Sequence, residues 1–278
     1  MRWPWAWRAL EAVLTGIGPM AVAVSGGVDS MTLAVLAHRM GHGVRVVHAV
    51  SPAVPAAATA RVRAYAAAEG WALDKIDAGE FADPNYRRNP VNRCFFCKTH
   101  LYGAIARRGA RRGGLTIVSG TNLDDLRDYR PGLEAARTHG VRHPYVEAGI
   151  DKAGVRALAA GLGLDDIAEL PAAPCLSSRI ETGLRVEADQ LAAIDRIETL
   201  LRDELAPRTV RCRRRRGGFV IELDAETLAA LSPISRQGLA ARVGAILFAS
   251  GLDRDTTLDF SAYRMGSAFL RGPADAPA

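Results

Sequence analysis

The sequence predicts an α/β fold, in which a doubly wound parallel sheet is followed by a second, smaller α+β domain. Short apolar runs of strand type alternate with helical patterns through the first part of the chain. A glycine-rich turn joins the first of these runs to the first helical pattern. After Pro171-Ala-Ala-Pro174 the pattern changes to a long amphipathic helix and a hairpin. We therefore expect domains over residues 1–172 and 173–278.

In the first domain, Val-rich runs predict the strands, and stretches of helical spacing that end at glycine predict the helices. Gly41 and Gly70 each stop a helical pattern. Strands that alternate with helices indicate parallel pairing through crossover connections. The predicted strands cover residues 20–24, 44–50, 71–76 and 115–119, and the predicted helices cover residues 29–40, 56–69 and 101–108.

The second domain begins with an amphipathic helix over residues 187–205, which has Leu191, Ile194, Ile197 and Leu201 on one face. Gly217-Gly218 separates two strand-like runs and predicts a hairpin turn. The strands are expected over residues 209–215 and 219–223, with helical patterns over 225–250, a last strand over 256–260 and a frayed end over 272–278.

Composition excludes several classes of protein. Of the 278 residues 49% are hydrophobic, so the chain can form a sizeable core. No apolar run is long enough for a bilayer, and the first residues lack the features of a signal peptide, so we expect a cytoplasmic protein. The net charge is +6, with 36 basic residues of which only three are lysines. Arginine richness reflects either a GC-rich genome or an anionic partner.

We call residues 25–30, Ser-Gly-Gly-Val-Asp-Ser, the glycine loop. It lies where a predicted strand ends and a helix begins, so unpaired backbone N–H groups and the helix dipole favour an anion there. Gly26 and Gly27 allow a ligand to approach the backbone, and Ser25 and Ser30 add hydroxyls. Asp29 can cap the helix or help to hold Mg²⁺. No lysine of the Walker A type follows, and the alternative is an ordinary glycine turn with a serine cap.

Four cysteines are too few for a disulfide scaffold of this length. Cys94-Phe-Phe-Cys97, expected just before a helix, indicates a metal, cluster or redox pair, with half of a structural zinc site as an alternative. Arg93 and Lys98 flank the pair and would favour thiolates. Cys175 lies near the domain junction, where the alternative is a small buried residue. Cys212 alternates with two arginines on a strand and is predicted to pack in the core.

Five segments occur in a particular order, and this series resembles the LarE family of PP-loop ATP-dependent sulfur transferases, which build the nickel-pincer nucleotide. The resemblance implies the PP-loop, or adenine nucleotide alpha hydrolase-like, fold. It also implies that ATP is cleaved to AMP and pyrophosphate. The family adenylates a carboxylate of pyridinium-3,5-biscarboxylic acid mononucleotide and replaces the activated oxygen with sulfur. The five segments are residues 25–30, 93–98, 119–122, 128–132 and 174–179.

The resemblance also implies site residues. Asp29 and Cys175 would be catalytic. Cys175 would join Cys94 and Cys97 in holding a [4Fe–4S] cluster that delivers an exogenous sulfide, or would give up its own sulfur if no cluster forms. ATP and Mg²⁺ would lie on Ser25, Gly26, Gly27, Asp29, Ser30 and Gly120. The substrate would contact Arg179, Arg211, Arg213, Glu198 and Glu222.

Alternatives remain for several of these residues. Ordinary surface charge would equally explain the glutamates at 198 and 222, and the segment over residues 128–132 is either a loop over the nucleotide or a plain turn. The arginines at 214–216 indicate a solvated turn or an RNA contact.

The expected partners are a small-molecule nucleotide substrate, a sulfide or sulfur-donor protein, and further copies of the chain. A membrane and nucleic acid are not expected. The alternative functions are a PP-loop enzyme that thiolates tRNA and a non-catalytic protein that binds a nucleotide or a cluster.

Overall fold

A computed structural model describes residues 3–110, 114–127, 130–251 and 256–270. The chain forms two compact units, of which the first comprises Met1–Glu80 with Asn92–Ala173 and the second Phe81–Val91 with Pro174–Ala278. The predicted frayed end over residues 272–278 and part of the predicted loop over residues 128–132 lie outside the described residues.

The helices and strands follow one another in this order: α1 (Trp3–Ile17), β1 (Met20–Ala23), α2 (Val28–Arg39), β2 (Val44–Ala49), α3 (Ala56–Glu69), β3 (Ala72–Ile76), α4 (Pro84–Arg87), α5 (Arg93–Ala110), β4 (Thr116–Ser119), α6 (Pro131–Thr138), α7 (Pro144–Glu147), α8 (Lys152–Gly161), α9 (Asp165–Ala168), α10 (Ala188–Leu205), β5 (Val210–Arg215), β6 (Gly218–Leu223), α11 (Ala225–Ala230), α12 (Pro233–Ala249) and β7 (Leu258–Ala262). Single 3-10 turns lie at Glu80–Ala82, Leu123–Arg127 and Leu176–Arg179.

The first unit contains a four-stranded sheet of order β3-β2-β1-β4, in which every neighbouring pair is parallel. Successive residues of β1 face opposite sides. Val22 packs in a cluster with α1, α2 and α8, whereas Ala21 packs in a second cluster with α5. The α/β prediction with a parallel sheet is therefore confirmed, and the carboxyl ends of β1 and β4 lie side by side.

The second unit contains a mixed three-stranded sheet of order β5-β6-β7. β5 and β6 form the predicted antiparallel hairpin, and β6 pairs with β7 in parallel. The turn lies one residue earlier than predicted, because Gly218 already belongs to β6. A Cβ at Gly218, where φ is +144°, would lie 2.0 Å from the hydroxyl of Thr257, so only glycine fits there.

Several helices differ from the sequence prediction: α4 and α6 to α9 lie where no helix is predicted, and the helical patterns over residues 225–250 form two helices, α11 and α12. α5 begins at Arg93 rather than at residue 101, so the cysteine pair lies inside the helix and not before it. α1 was not predicted at all, although Ala6, Leu10 and Leu14 repeat every four residues and are buried. None of the helices in the described ranges combines the length and apolar character that crossing a bilayer requires.

Candidate functional site

The glycine loop joins β1 to α2 and is shaped by contacts with α3. Gly26 has a φ of +84°, and a Cβ there would lie 2.8 Å from the carbonyl oxygen of Ala58. A side chain at this position would therefore be strained and would collide with backbone. Arg61 donates a hydrogen bond to the Gly26 carbonyl at 2.8 Å. The N-cap residue Gly27 has no side chain, so none of its own atoms caps the first amides of α2.

The two serines of the loop have different environments. Ser30 is buried, and its hydroxyl accepts from the Ser25 backbone N–H at 3.1 Å and donates to the Gly27 carbonyl at 3.2 Å. Its hydroxyl also lies 3.2 Å from that of Ser25. Ser25 is exposed. Ser30 thus closes the loop on itself, while Ser25 is the hydroxyl that a ligand can reach.

Asp29 is the centre of the contacts at this loop. Its Oδ1 accepts from the Asn122 amide at 3.0 Å, and its Oδ2 lies 2.6 Å from Nζ of Lys152. The buried Tyr145 donates its hydroxyl to the Asp29 carbonyl at 3.0 Å, and burial raises the pKa of that phenol well above its usual value. No sequence motif marks Lys152 or Tyr145 as a site residue.

Gly120 lies directly against the loop. A Cβ at Gly120 would be 2.8 Å from the carbonyl carbon of Asp29 and from the amide nitrogen of Ser30. The structure therefore brings all six residues that were predicted to bind the nucleotide into one region, at the carboxyl ends of β1 and β4. Whether a nucleotide binds there stays a prediction.

A hydroxyl–imidazole pair adjoins Gly120. The hydroxyl of Ser119 lies 2.8 Å from Nδ1 of His143 and 3.1 Å from the hydroxyl of Thr121. Burial lowers the pKa of His143, which favours the neutral imidazole; Glu147 opposes this shift and Lys98 adds to it. His143 has no sequence motif of its own and was not predicted as a site residue.

Cys94 and Cys97 occupy the first turn of α5 in the first unit. They are three residues apart, so they share one helix face, and neither is buried. Accessible thiols on one face of a helix start fit two ligands of a metal or cluster. Cys175 is also exposed, but it belongs to the second unit. Within each unit, the described residues contain no group of three or more His, Cys, Asp or Glu side chains that could hold a metal ion.

We call residues 174–179 the Cys175 turn. The side chain of Arg179 stabilises this turn with three hydrogen bonds. Its guanidinium donates to the Pro174 carbonyl at 2.7 Å, to the Cys175 carbonyl at 3.3 Å and to the Ser178 hydroxyl at 3.0 Å. Only 2% of Arg179 is exposed. A buried guanidinium is costly unless it is paired, and Glu198 supplies the pair.

Glu198 is fully buried on α10. It accepts two hydrogen bonds from Arg179, each of 2.9 Å, one from the Cys212 backbone N–H at 3.0 Å and one from Arg202 at 3.1 Å. Burial alone would raise the pKa of Glu198, but these partners outweigh burial and lower it. In the same way, burial opposes the charged form of Arg179, but pairing with Glu198 raises the pKa of Arg179.

A second buried pair lies on the adjoining strands. Arg213 donates to Oε2 of Glu222 at 3.0 Å and to the Ser178 carbonyl at 3.1 Å. Oε1 of Glu222 accepts from the Ser267 hydroxyl at 2.5 Å and from Arg215 at 3.3 Å. Surface charge was the alternative for both glutamates; it is wrong, because 0% of Glu198 and 2% of Glu222 are exposed.

Arg211 has more contact with solvent than its neighbours. It is half-buried, donates to the Val210 carbonyl and lies over the ring of Tyr263, with 5.8 Å between the guanidinium carbon and the ring centroid. Burial and the charge of Arg179 lower the pKa of Arg211. The structure therefore groups all five predicted substrate residues near the Cys175 turn, with only Arg211 partly open. Their contact with a substrate stays a prediction.

The burial of Cys212 is as predicted, but the arginines at 214–216 do not all lie in a solvated turn. Cys212 is fully buried, as predicted, and burial raises the pKa of its thiol well above the usual value. The solvated-turn interpretation suits Arg216, whose side chain is 72% exposed. It is wrong for Arg215, which contacts Glu222 and the Ser267 carbonyl, and for Arg214, which stacks on Phe219 with 5.4 Å to the ring centroid.

Comparison with known proteins gives three relatives. The chain is 38% identical over 208 residues to an uncharacterized protein of Synechocystis, covering 74% of this chain and 77% of that protein. It is 30% identical over 206 residues to the pyridinium-3,5-bisthiocarboxylic acid mononucleotide synthase of Lactiplantibacillus plantarum, covering 73% and 74%. An uncharacterized protein of Methanocaldococcus jannaschii is 27% identical over 137 residues, covering 49% and 53%. No family model matches the chain.

Proposed function

This chain belongs to the pyridinium-3,5-bisthiocarboxylic acid mononucleotide synthase family, and from that premise we propose that it is an ATP-dependent sulfur transferase with a PP-loop fold. Its substrate would be pyridinium-3,5-biscarboxylic acid mononucleotide, and its product the corresponding thiocarboxylate. The observation that carries the proposal is the glycine loop at the carboxyl ends of β1 and β4, with Asp29 held by Asn122 and Lys152.

Activation of the substrate is the first step. A carboxylate oxygen attacks the α-phosphorus of ATP, the bond to the β-phosphate breaks, and pyrophosphate leaves. The acyl adenylate that results has AMP as its leaving group, which departs far more readily than an oxide. Backbone amides at the start of α2, together with Lys152, would stabilise the negative charge that develops on pyrophosphate.

Asp29 suits a role at this step. Oδ1 of its carboxylate accepts a hydrogen bond from Asn122 and Oδ2 accepts one from Lys152, and each oxygen keeps a further lone pair. Asp29 would therefore help to hold Mg²⁺, which neutralises phosphate charge when bound. Ser25, as the exposed hydroxyl of the loop, would donate to the phosphates.

The test is pyrophosphate release by purified protein with ATP and the biscarboxylic acid mononucleotide. We expect release only when both are present, and a loss of about a hundredfold in Asp29→Asn, the scale of removing a group that stabilises the transition state. Asp165→Asn, an exposed aspartate of the same unit, is the matched control and should keep full activity. Release of ADP and phosphate, or an Asp29→Asn variant with unchanged turnover, would overturn the proposal.

Sulfur transfer is the second step. A sulfur nucleophile attacks the acyl carbon, and AMP leaves with the original carboxylate oxygen. Cys94, Cys97 and Cys175 would hold a [4Fe–4S] cluster, which when bound keeps one iron open to exogenous sulfide. Without a cluster, the Cys175 thiolate would attack the acyl carbon. Loss of its α-proton and cleavage of its Cβ–S bond would then leave dehydroalanine and the thiocarboxylate.

Iron and acid-labile sulfide analysis of anaerobically purified protein separates these two routes. We expect iron and sulfide in the wild-type protein, their loss in Cys94→Ala and their retention in Cys212→Ala, because Cys212 is buried in the second unit. Zinc without iron would contradict the cluster. In that case a mass spectrum after turnover should show Cys175 lighter by one hydrogen sulfide.

A further inference from the structure

Two guanidinium groups, those of Arg179 and Arg213, donate hydrogen bonds to the Cys175 turn. Arg179 donates to the carbonyls of Pro174 and Cys175, at the start of the turn, at 2.7 and 3.3 Å. Arg213 donates to the carbonyl of Ser178, near its end, at 3.1 Å. The turn also has a hydrogen bond of its own, from the Ser178 amide to the Cys175 carbonyl at 3.0 Å.

Glu222 fixes the second guanidinium. Both groups are almost fully buried, with 4% of Arg213 and 2% of Glu222 exposed. Arg213 donates from Nε to Glu222 and from Nη1 to the Ser178 carbonyl, and because the guanidinium is planar and rigid, the direction of the second bond depends on where the carboxylate holds the first. The position of Glu222 therefore decides whether Arg213 reaches the Cys175 turn.

The last described segment of the chain reaches Glu222. We call residues 264–270 the terminal strap. Its Ser267 donates to Oε1 of Glu222 at 2.5 Å, and the Ser267 carbonyl accepts from Arg215 at 2.5 Å. Arg215 also contacts Oε1 of Glu222, at 3.3 Å. Ser267 and Arg215 thus hold the oxygen of Glu222 that Arg213 does not use.

The terminal strap is anchored beside the end of the Cys175 turn. The backbone N–H of Thr182 donates to the Ala268 carbonyl at 3.0 Å, and the Thr182 hydroxyl accepts from the Leu270 N–H at 3.0 Å. Ala268 itself is 2% exposed. These bonds make the strap a fixed part of the second unit at the point where it meets Glu222.

We propose that Ser267 is a positioning residue for Cys175, which acts through Glu222 and Arg213 on the Cys175 turn. The proposal rests on the proposed function for the use of Cys175 in sulfur transfer. It assigns to Arg213 a structural task, holding the Ser178 carbonyl, that differs from a contact with substrate. The terminal strap then helps to position Cys175, even though it follows every segment that carries the family resemblance.

Hydrogen exchange of the Cys175 turn in the full-length protein tests this. Ser267→Ala removes the donor to Glu222, so amide exchange of residues 176–180 should become at least fivefold faster. Ser267→Thr keeps the hydroxyl and should restore the wild-type rate. Ser235→Ala makes the same change on the exposed start of α12 and should leave exchange in the turn unaltered. Unchanged exchange in Ser267→Ala would overturn the proposal.

Turnover measured on the same variants separates this inference from the function. If both hold, Ser267→Ala lowers kcat severalfold and leaves KM for ATP and for the mononucleotide unchanged. A rise in KM for the mononucleotide with unchanged exchange would identify Arg213 and Glu222 as substrate contacts, against the proposal. Faster exchange with full turnover supports the positioning of the turn and counts against the use of Cys175 in the reaction.

Discussion

At the scale of single residues, Asp29 and Lys152 show why part of the site was predicted and part was not. Asp29 belongs to a local motif, in which glycines, serines and a helix start occur within six positions. Lys152 lies 123 residues further along the chain and begins α8, after the Asp151 N-cap. The ammonium of Lys152 reaches the glycine loop only because α8 packs beside the sheet. A single lysine in the sequence does not indicate that packing.

Lys152→Met should lower pyrophosphate release by about a hundredfold, because it removes a charge-assisted contact at the proposed reaction centre. The free energy of unfolding should fall by less than about 1 kcal/mol, since the side chains of Lys152 and Asp29 keep contact with water. Steady-state kinetics and urea unfolding measure the two effects. Lys75→Met, an exposed lysine of β3, is the control. Release within twofold of wild type would show that Lys152 has no part in the reaction.

At the level of elements, the apolar face of a periodic helix such as α10 is predictable, whereas a buried charge on the same helix is not. The amphipathic spacing of α10 places Leu191, Ile194 and Leu201 in the core as expected. The same spacing cannot show that Glu198 also faces inward, since a glutamate on a helix is usually solvated. Its burial depends on Arg179 and on the Cys212 backbone, which come from other elements.

The same substitution at two glutamates of α10 should lower the free energy of unfolding by very different amounts. Glu198→Gln leaves the buried Arg179 without its charge partner, so the free energy of unfolding should fall by about 3 kcal/mol. Glu204→Gln breaks an exposed ion pair with Arg242, so the free energy of unfolding should fall by no more than about 0.5 kcal/mol. Urea unfolding curves give both values. Equal costs would mean that the Arg179–Glu198 pair is not buried in solution.

At the scale of the whole molecule, the chain enters the second unit twice. Residues 81–91 belong to that unit although they precede the rest of it by more than eighty residues. Tyr86 is 1% exposed and lies 2.6 Å from the Ser177 hydroxyl, and the Asn89 amide donates to the Glu181 carbonyl at 2.9 Å. Neither a composition change nor a linker marks residues 81–91, so the sequence predicts them as part of the domain over residues 1–172.

The second unit should therefore need residues 81–91 to fold. A fragment of residues 174–278 should show no cooperative unfolding, because loss of Tyr86 alone leaves a cavity worth about 3–5 kcal/mol. The same fragment preceded by residues 81–91 and a flexible linker should unfold cooperatively in urea. Placing Ala at positions 86 and 89 of the fused fragment should abolish the gain. A stable fragment of 174–278 would contradict the shared packing.

The contact between Glu198 and the Cys212 amide also bears on whether a strand of another molecule can pair with the edge of this sheet. β5 is an edge strand, and an edge strand with open amides and carbonyls invites a foreign strand to pair with it. Here the outward N–H of Cys212 is used by a side-chain carboxylate, and the outward carbonyl of Arg214 accepts from the Glu181 backbone. At this edge of the sheet, β5 therefore offers two fewer open backbone groups to a foreign strand, and a side chain and a backbone amide of the same unit satisfy them.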